Sequence, residues 1–190
     1  MTQAGRIVEQ QFDFPRGFRA QFFTSIHEEG YEMYAVTTDN LADRVLHYRY
    51  VHELNCWVDD AERIVMHPVE VGALEVPATL GEPLCRRLQD LFPGCPIIGH
   101  NNQRMTILTR PEAHESGLDD VLLSLGAALV ESTALVVLPS PATEASGYRW
   151  WASTPRDAFR PRLETVIRVA DQISGRGCLV MRYGRGGGFR

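Results

Sequence analysis

Residues 69–109 constrain the fold most, because β-prone runs there flank one strong helical pattern. The run VEVGALEVP (69–77) is strongly β-prone and ends at a proline, so it predicts a strand. A helix is predicted over 79–92, where leucines recur at helical spacing and where Thr79 and Glu82 have the spacing of a capping box. PIIGH (96–100) then predicts a short strand or an extended turn, and RMTILT (104–109) predicts a strand. The segment therefore predicts the order strand, helix, strand, strand.

The remaining patterns extend this alternation along the whole chain. They predict a short strand or ordered arm within 1–17, a helix over 18–30, a strand over 31–36, a helix capped by Thr38 or Asp39, and strand pieces over 54–58 and 62–67. After the helix over 79–92 they predict a short strand or extended turn over 96–100 and a strand over 104–109. The C-terminal part predicts a helix over 117–130, paired strands ALVVLPS (134–140) and YRWW (148–151), and a helix over 157–173. Such alternation predicts an α/β or α+β fold around one sheet.

Composition is that of a globular chain large enough for its own core. The 190 residues suit one domain with tails, and 44% hydrophobic with 23% charged residues is ordinary. We expect an N-terminal arm with a helix in 1–30, the main domain in 31–174 and a basic, glycine-rich tail in 175–190. The tail resembles arginine–glycine segments that bind RNA loosely, and a disordered end is the alternative.

Charge and cysteine usage narrow the function classes. The net charge of −5 and the pI of about 5.7 argue against tight binding of DNA or RNA by the surface as a whole. The four cysteines have no Cys-x-x-Cys spacing, so free thiols in a reducing compartment are expected rather than a metal site. The N-terminus has no signal-peptide pattern, and no apolar run approaches the roughly 18 residues of a membrane span. A cytoplasmic location without a membrane partner is expected.

The order of several short motifs points to one family. VTTDNLADRVLHYR is followed by NCWV, GALEVPATLGEPLCRRLQ, CPIIGHNNQRMTILTRP and LVVLPSPATEASGYRWW, and then by a helix after a proline. This order resembles the N-terminal domain of bifunctional DNA primase–polymerases, a branch of the archaeo-eukaryotic primase superfamily. The likeness covers residues 34–173, whereas the preceding part matches poorly. It implies an RRM-like mixed sheet that forms a polymerase palm and is flanked by helices.

The resemblance also implies an acidic pair, and this chain departs from it. Active members carry an Asp-x-Asp pair at a strand end, where two carboxylates hold the two divalent ions of phosphoryl transfer. Glu75 stands at the first acidic position and Pro77 at the second. One carboxylate is not a two-metal site, so the resemblance implies a degenerate site.

Two further family positions are substituted here. The Gly-Gly turn that approaches the triphosphate falls on Asn102 and Gln103, and the family's histidine falls on Met105, each to within one residue. A third carboxylate is expected near 126–128, which is Gly-Ala-Ala, with only Glu131 nearby. We expect the scaffold to be retained and the catalytic groups to be lost.

Three glutamates can replace the missing acids. Glu70, Glu75 and Glu131 would form a cluster if their strands were adjacent, but strand alternation separates the first two onto opposite faces unless a bulge at Gly72 corrects it. Solvated glutamates at strand ends are the alternative. No cofactor or metal is expected, and Mg or Mn would be needed only if this site still works.

Arginines and aromatic residues supply the candidate binding groups. Arg104, Arg110 and Arg149 suit phosphate geometry, and surface ion pairing is the alternative. Trp150 can stack on a base, as can its neighbours in YRWW, and the alternative is core and rim packing of an edge strand. The two tryptophans are expected on opposite faces because strand side chains alternate.

These observations favour a non-catalytic or degenerate primase–polymerase-like domain that binds nucleotide or single-stranded nucleic acid, or regulates a partner. Two alternatives remain open: a divergent metal-dependent nucleotidyltransferase, and a protein-interaction module that forms a homodimer. The six histidines form no His-x-x-x-His pair, and no Walker A loop or Gly-x-Ser-x-Gly elbow is present. On balance the sequence favours a protein that is not an enzyme.

Overall fold

The computed structural model describes residues 7–13, 19–27, 30–33, 40–111 and 118–175. The strands are β1 (Ile7–Asp13), β2 (Arg19–His27), β3 (Gly30–Met33), β4 (Cys56–Val58), β5 (Ile64–Met66), β6 (Gly72–Pro77), β7 (Ile97–His100), β8 (Arg104–Thr109), β9 (Ala128–Leu129), β10 (Val136–Val137) and β11 (Arg149–Ser153). The helices are α1 (Leu41–Tyr50), α2 (Ala78–Leu91), α3 (Leu118–Leu125), α4 (Pro141–Ala145) and α5 (Leu163–Ser174).

Every strand pairing among the described residues is antiparallel, so the fold class is α+β. The strands form three sheets, with the orders β1-β2-β3, β10-β5-β4 and β11-β7-β8-β6-β9. The expectation of one sheet was wrong, because strand patterns predict which segments are extended but not which segments pair. None of the described helices is both long and apolar enough to cross a membrane.

The five-stranded sheet buries one face against helices. Apolar side chains of α2, α3 and α5 pack there on alternate strand residues such as Leu74, Val76 and Ile107. The contacts among these elements form the larger of two cores, and α2 packs directly on α5. Because alternate residues of β6, β7 and β8 are buried under these helices, the residues between them lie on the opposite face of the sheet.

The opposite face of the same sheet carries the second core. Ala73, Ile98 and Leu108 lie on it and pack with residues of α1, β4 and β5, including Val45 and Tyr48. Cys56, Cys85 and Cys95 are buried free thiols, as expected, and Cys178 lies outside the described residues. The tail prediction for 175–190 also falls outside them, apart from Gly175.

The helix predicted over 18–30 was wrong, since this segment forms strand β2. Phe18, Phe22, Phe23 and Ile26 have helical spacing, yet β2 pairs with β1 over its length, with Phe22 opposite Gln10 and Phe23 opposite Glu9. Aromatic and β-branched residues favour strands when a partner strand is present. The pairing with β1 and β3 decides the structure, and a pattern within one segment does not contain that information.

Two predicted helix caps were also wrong. The N-cap of α1 is Asn40, whose Oδ1 accepts the Asp43 N–H at 2.8 Å. The capping box predicted at Thr79 and Glu82 is absent, because α2 begins one residue earlier, after Pro77, without a side-chain cap. Its first N–H, that of Ala78, instead donates to the backbone of the β7–β8 turn.

The helix predicted over 117–130 ends at Leu125. Gly126 has a φ of +64°, which stops the helix, and the chain then pairs with β6 as strand β9. Of ALVVLPS only Val136–Val137 is a strand, and it pairs with β5 rather than with YRWW, which pairs with β7.

The last helix begins at Leu163 and not at 157. Asp157 Oδ1 accepts the Phe159 N–H at 2.7 Å in a local turn, and Pro161 follows immediately before the helix. Side-chain bonds of this kind compete with helical backbone bonds.

Candidate functional site

A polar surface lies on the five-stranded sheet beside the second core. Because side chains alternate along a strand, residues two positions beyond the buried ones point to the same side. We define the polar face as five residues that share the side of the sheet with the second core: Glu75, His100, Arg104, Thr106 and Arg149. Each is separated by two or four positions from a second-core residue of its own strand, namely Ala73, Ile98, Leu108 or Trp151. Four neighbouring strands therefore bring these side chains together.

Glu75 forms an ion pair across two strands. The Arg104 Nη2 atom lies 3.5 Å from Oε2 of Glu75, and the Arg104 Nη1 atom donates to the Gly126 carbonyl at 3.4 Å. The two side chains are 42% and 32% exposed, so water screens the pair. The pair therefore positions Glu75 and Arg104 more than it stabilises the fold.

His100 is held as a neutral imidazole with a defined tautomer. The Arg149 Nε–H donates to His100 Nδ1 at 3.0 Å, so His100 carries its proton on Nε2 and donates it to Thr106 Oγ1 at 2.8 Å. Burial, together with the positive charges of Arg149 and Arg104, lowers the pKa of His100 to about 4. The ring is consequently an uncharged acceptor for Arg149 at neutral pH.

Arg149 is the cation of the polar face whose position is best suited to bind an anion. Burial is the main cause that lowers its pKa from the ordinary value, and its guanidinium carbon lies 5.5 Å from the ring centroid of Tyr148. Arg149 is held through its Nε atom, while its two terminal nitrogens have no acceptor within hydrogen-bond distance among the described residues.

The face carries more positive than negative charge, in a chain whose net charge is −5. Arg104 and Arg149 are positive, Glu75 alone is negative, and His100 is neutral. The positive charge of Arg63, which Asp59 holds at 2.6 Å, contributes to lowering the pKa of Arg149. A local excess of positive charge suits an anionic ligand.

The candidate acidic cluster is not assembled. Among the described residues, no group of three or more His, Cys, Asp or Glu side chains could hold a metal ion. Glu75 pairs with Ala128, so Glu131 lies three residues further along, an offset of about 10 Å for an extended chain. Glu70 precedes β6, whose register with β8 is unbroken, so no bulge at Gly72 brings it to the side of Glu75.

The position predicted for the family's histidine faces the wrong side of the sheet. Met105 is buried in the helical core, where a Cβ at Gly81 would lie 2.6 Å from its sulfur. A one-residue offset in a strand reverses the face, and Thr106 is the residue that faces Glu75. The polar face does contain a histidine, His100, which lies on the neighbouring strand β7. The sequence analysis did not identify His100 as a candidate.

Arg110 serves a structural role at the other end of β8. Its Nε–H donates to the Arg160 carbonyl at 3.1 Å, and its backbone N–H donates to the Pro161 carbonyl at 2.9 Å. Six positions separate it from Arg104, which is about 20 Å along a strand. Arg110 therefore anchors the segment before α5 and is not part of the polar face.

The two tryptophans face opposite sides of the sheet, as predicted. The Trp151 Nε1–H donates to the Tyr48 hydroxyl at 2.7 Å in the second core. The Trp150 ring covers Gly99, whose Cβ, if present, would lie 2.5 Å from Cε2 of the ring. Trp150 is 38% exposed and Tyr148 is 52% exposed, so both keep ring surface in contact with solvent.

The turn at Asn102 and Gln103, where the resemblance would place a Gly-Gly pair, is a β-hairpin connection between β7 and β8. Gln103 has a φ of +62°, and its carbonyl accepts the N–H of Ala78 at 2.8 Å. The N–H of Asn101 donates to the Tyr148 carbonyl at 3.1 Å and so extends the pairing of β7 with β11. The turn thus connects the start of α2 to the polar face.

A scan against models of protein families, a search of curated proteins and a search of solved structures each found no match. The function proposed below therefore rests on the residues of this chain and on their placement.

Proposed function

We propose that this chain is a catalytically degenerate primase–polymerase-like domain that binds a nucleotide or single-stranded nucleic acid through the polar face. The observation that carries the proposal is the guanidinium group of Arg149, which a hydrogen bond from its Nε atom holds in place. Its Nε–H is bonded to neutral His100, and its terminal nitrogens have no acceptor among the described residues. Arg104 lies on the same face and supplies a second cation.

Phosphate is the ligand group that fits these donors best. A guanidinium presents parallel N–H groups that match two phosphate oxygens, and such charge-assisted bonds are stronger than neutral ones. A neutral His100 leaves the positive charge of Arg149 uncompensated, whereas a carboxylate in its place would cancel it. The ligand is therefore an anion, and the exposed Tyr148 ring beside Arg149 offers a surface on which an unpaired base can stack.

The number of carboxylates on the polar face argues against nucleotidyl transfer. Two-metal catalysis needs carboxylates that hold ions about 3.5–4 Å apart. On the polar face Glu75 is the one carboxylate, its oxygen is shared with Arg104, and Pro77 occupies the next outward position on β6. Binding without chemistry is the function that this residue set supports.

A thermal-shift screen tests the proposal. The unmodified chain is compared with Arg149→Gln in the presence of a short single-stranded oligonucleotide or a nucleoside triphosphate. A ligand at 100 times its Kd stabilises a protein by about 2.7 kcal/mol, so a rise in Tm is expected that Arg149→Gln reduces strongly. The matched control is Arg168→Gln, since Arg168 is exposed on α5, where it pairs with Glu164.

Glu75 at the first acidic position of the family motif favours one second candidate, a divergent nucleotidyltransferase. In that case the triphosphate would raise the Tm only together with Mn²⁺, and Glu75→Gln would abolish the effect. If no oligonucleotide or triphosphate changes the Tm, both candidates are contradicted, and a protein partner or a homodimer becomes the function to test by sedimentation.

A further inference from the structure

A separate cavity lies at the other end of β11. It has a volume of about 370 Å³ and is lined by Gln89, Ser153, Thr154 and Arg156, together with Gly94 and two prolines. Ligand cavities usually measure about 300–1,000 Å³, so the space suits a small molecule. Ser153 pairs with Ile97 and Arg149 with His100, so this cavity lies about 13 Å along the strand from the polar face.

Three polar side chains of the cavity, those of Ser153, Thr154 and Arg156, have no partner among the described residues, whereas Gln89 Nε2 donates to the Ala152 carbonyl at 3.5 Å. Arg156 is the one charged side chain in its lining, and no carboxylate of the described chain pairs with it. Ser153 is 5% exposed, and no hydrogen bond of its hydroxyl or of the Thr154 hydroxyl to a described residue is present. One cation and two hydroxyl groups are thus available in a small space.

The chain supports the stem of Arg156 in a defined place. Gly94 follows α2 with a φ of +88°, and a Cβ there would lie 2.8 Å from Cγ of Arg156. The arginine stem therefore rests directly on the glycine backbone. Such support reduces the side-chain entropy that Arg156 loses when it binds a ligand.

We propose that this cavity binds a small organic anion through Arg156, with the ligand's carboxylate or phosphate group on the guanidinium and on the hydroxyls of Ser153 and Thr154. A cation is disfavoured by Arg156. A wholly apolar ligand would cover the guanidinium without an acceptor and lose its hydration. Because Arg156 is exposed and the carbonyl end of α2 lies nearby, we expect a weak affinity for a minimal anion.

Nuclear magnetic resonance titration tests this site independently of the polar face. Sodium acetate and sodium phosphate are titrated separately into the ¹⁵N-labelled chain, with sodium chloride adjusted to keep ionic strength constant. We expect saturable shifts of the Gly94, Thr154 and Arg156 amides and of the Arg156 Nε–H. Saturation with acetate alone identifies a carboxylate ligand, and saturation with phosphate alone identifies a phosphate ligand.

Three variants make the outcome decisive. Arg156→Gln should raise the Kd at least tenfold, Arg156→Lys should raise it less because the charge is retained, and Arg149→Gln should leave it unchanged. The proposal is overturned if neither anion gives saturable shifts, or if Arg156→Gln binds as the unmodified chain does. An effect of Arg149→Gln equal to that of Arg156→Gln would also overturn it, because the anion would then be occupying the polar face.

Discussion

Arg149 donates its Nε–H to Nδ1 of His100 at 3.0 Å, across the pair of strands β11 and β7. The same ring is also bonded to β8, because its Nε2–H donates to Oγ1 of Thr106. A neutral histidine thus orients a cation without reducing its charge. If the face binds an anion as proposed, this arrangement separates two contributions to that binding, namely orientation by His100 and charge by Arg149.

The His100→Phe variant tests orientation alone. The phenyl ring is somewhat larger than the imidazole but is also flat and uncharged, and it removes both nitrogens, so Arg149 loses its fixed position while the charge of the face is unchanged. We expect the affinity for a single-stranded oligonucleotide to fall about five- to tenfold, the size of one lost orienting hydrogen bond. The slope of log K against log salt should stay constant in fluorescence-anisotropy titrations, and a flatter slope would contradict the neutral state of His100.

A second buried histidine makes stability depend on pH. His52 is 3% exposed, and its Nδ1 atom has no partner among the described residues. Burial, with the positive charges of His47 and Arg160, lowers the pKa of His52 to about 4, against an ordinary value near 6.5. Between these values the unfolded chain binds a proton that the folded chain does not, so the free energy of unfolding falls as the pH falls, by up to about 1.4 kcal/mol per pH unit.

Urea unfolding of the unmodified chain and of His52→Asn between pH 7.5 and pH 4.5 measures this effect. The variant is the less stable protein at pH 7.5, and the difference between the two should narrow below pH 6.5 because only the unmodified chain loses the contribution of His52. His67→Asn is the control, since His67 is exposed. A difference that stays constant across the range would rule out a depressed pKa at position 52.

The Tyr48 hydroxyl joins three elements of the second core. It donates to the Pro139 carbonyl at 2.9 Å and accepts the Trp151 Nε1–H at 2.7 Å. In Tyr48→Phe both groups lose this partner in a buried site, so the free energy of unfolding should fall by about 1–3 kcal/mol. A double-mutant cycle with Trp151→Phe should give a coupling energy of about 0.5–3 kcal/mol, and strictly additive losses would show that the bond is not formed.

Gly99 lets the Trp150 ring lie on the sheet. A Cβ at this position would meet the ring at 2.5 Å, so Gly99→Ala must displace Trp150 and should cost about 1–3 kcal/mol. The displacement should shift tryptophan fluorescence emission toward longer wavelength. At Gly147 no atom lies within 4 Å of an added Cβ, so Gly147→Ala should cost about 1 kcal/mol through its φ of +66° alone, with unchanged emission.

The sequence predicted the helix and strands of 69–109 well, apart from the cap of α2, because the β-prone runs and the helical spacing of the leucines indicate these elements independently of their partners. VEVGALEVP, PIIGH and RMTILT are strands within a few residues of the predicted limits, and α2 begins and ends within one residue. Pairing between separate segments, even neighbouring ones, was not predictable in the same way. Phe22 and Phe23 have helical spacing, but β1 and β3 provide strand partners on both sides, and that contact is not encoded in the local pattern.

The candidate site was predicted only in part for a related reason. Glu75, Arg104 and Arg149 come together on one face, whereas Arg110 and Glu131 do not. The face on which a strand residue lies reverses with each position, so a prediction by position must be correct to one residue. Met105, the position to which the resemblance assigned a histidine, is buried on the helical face, whereas its neighbour Thr106 is paired with Glu75. His100 was missed because its role arises from the pairing of β7 with both β8 and β11.

The salt dependence of oligonucleotide binding tests the central claim most directly. The unmodified chain, Arg149→Gln and Arg168→Gln are titrated with a labelled single strand at several salt concentrations without divalent ions. Each phosphate contact on a single strand contributes about 0.7 to the slope of log K against log salt, so Arg149→Gln should weaken binding and reduce the slope by about that amount, while Arg168→Gln matches the unmodified chain. Equal slopes and affinities for all three proteins, or no binding at the lowest salt, would contradict a phosphate-binding polar face.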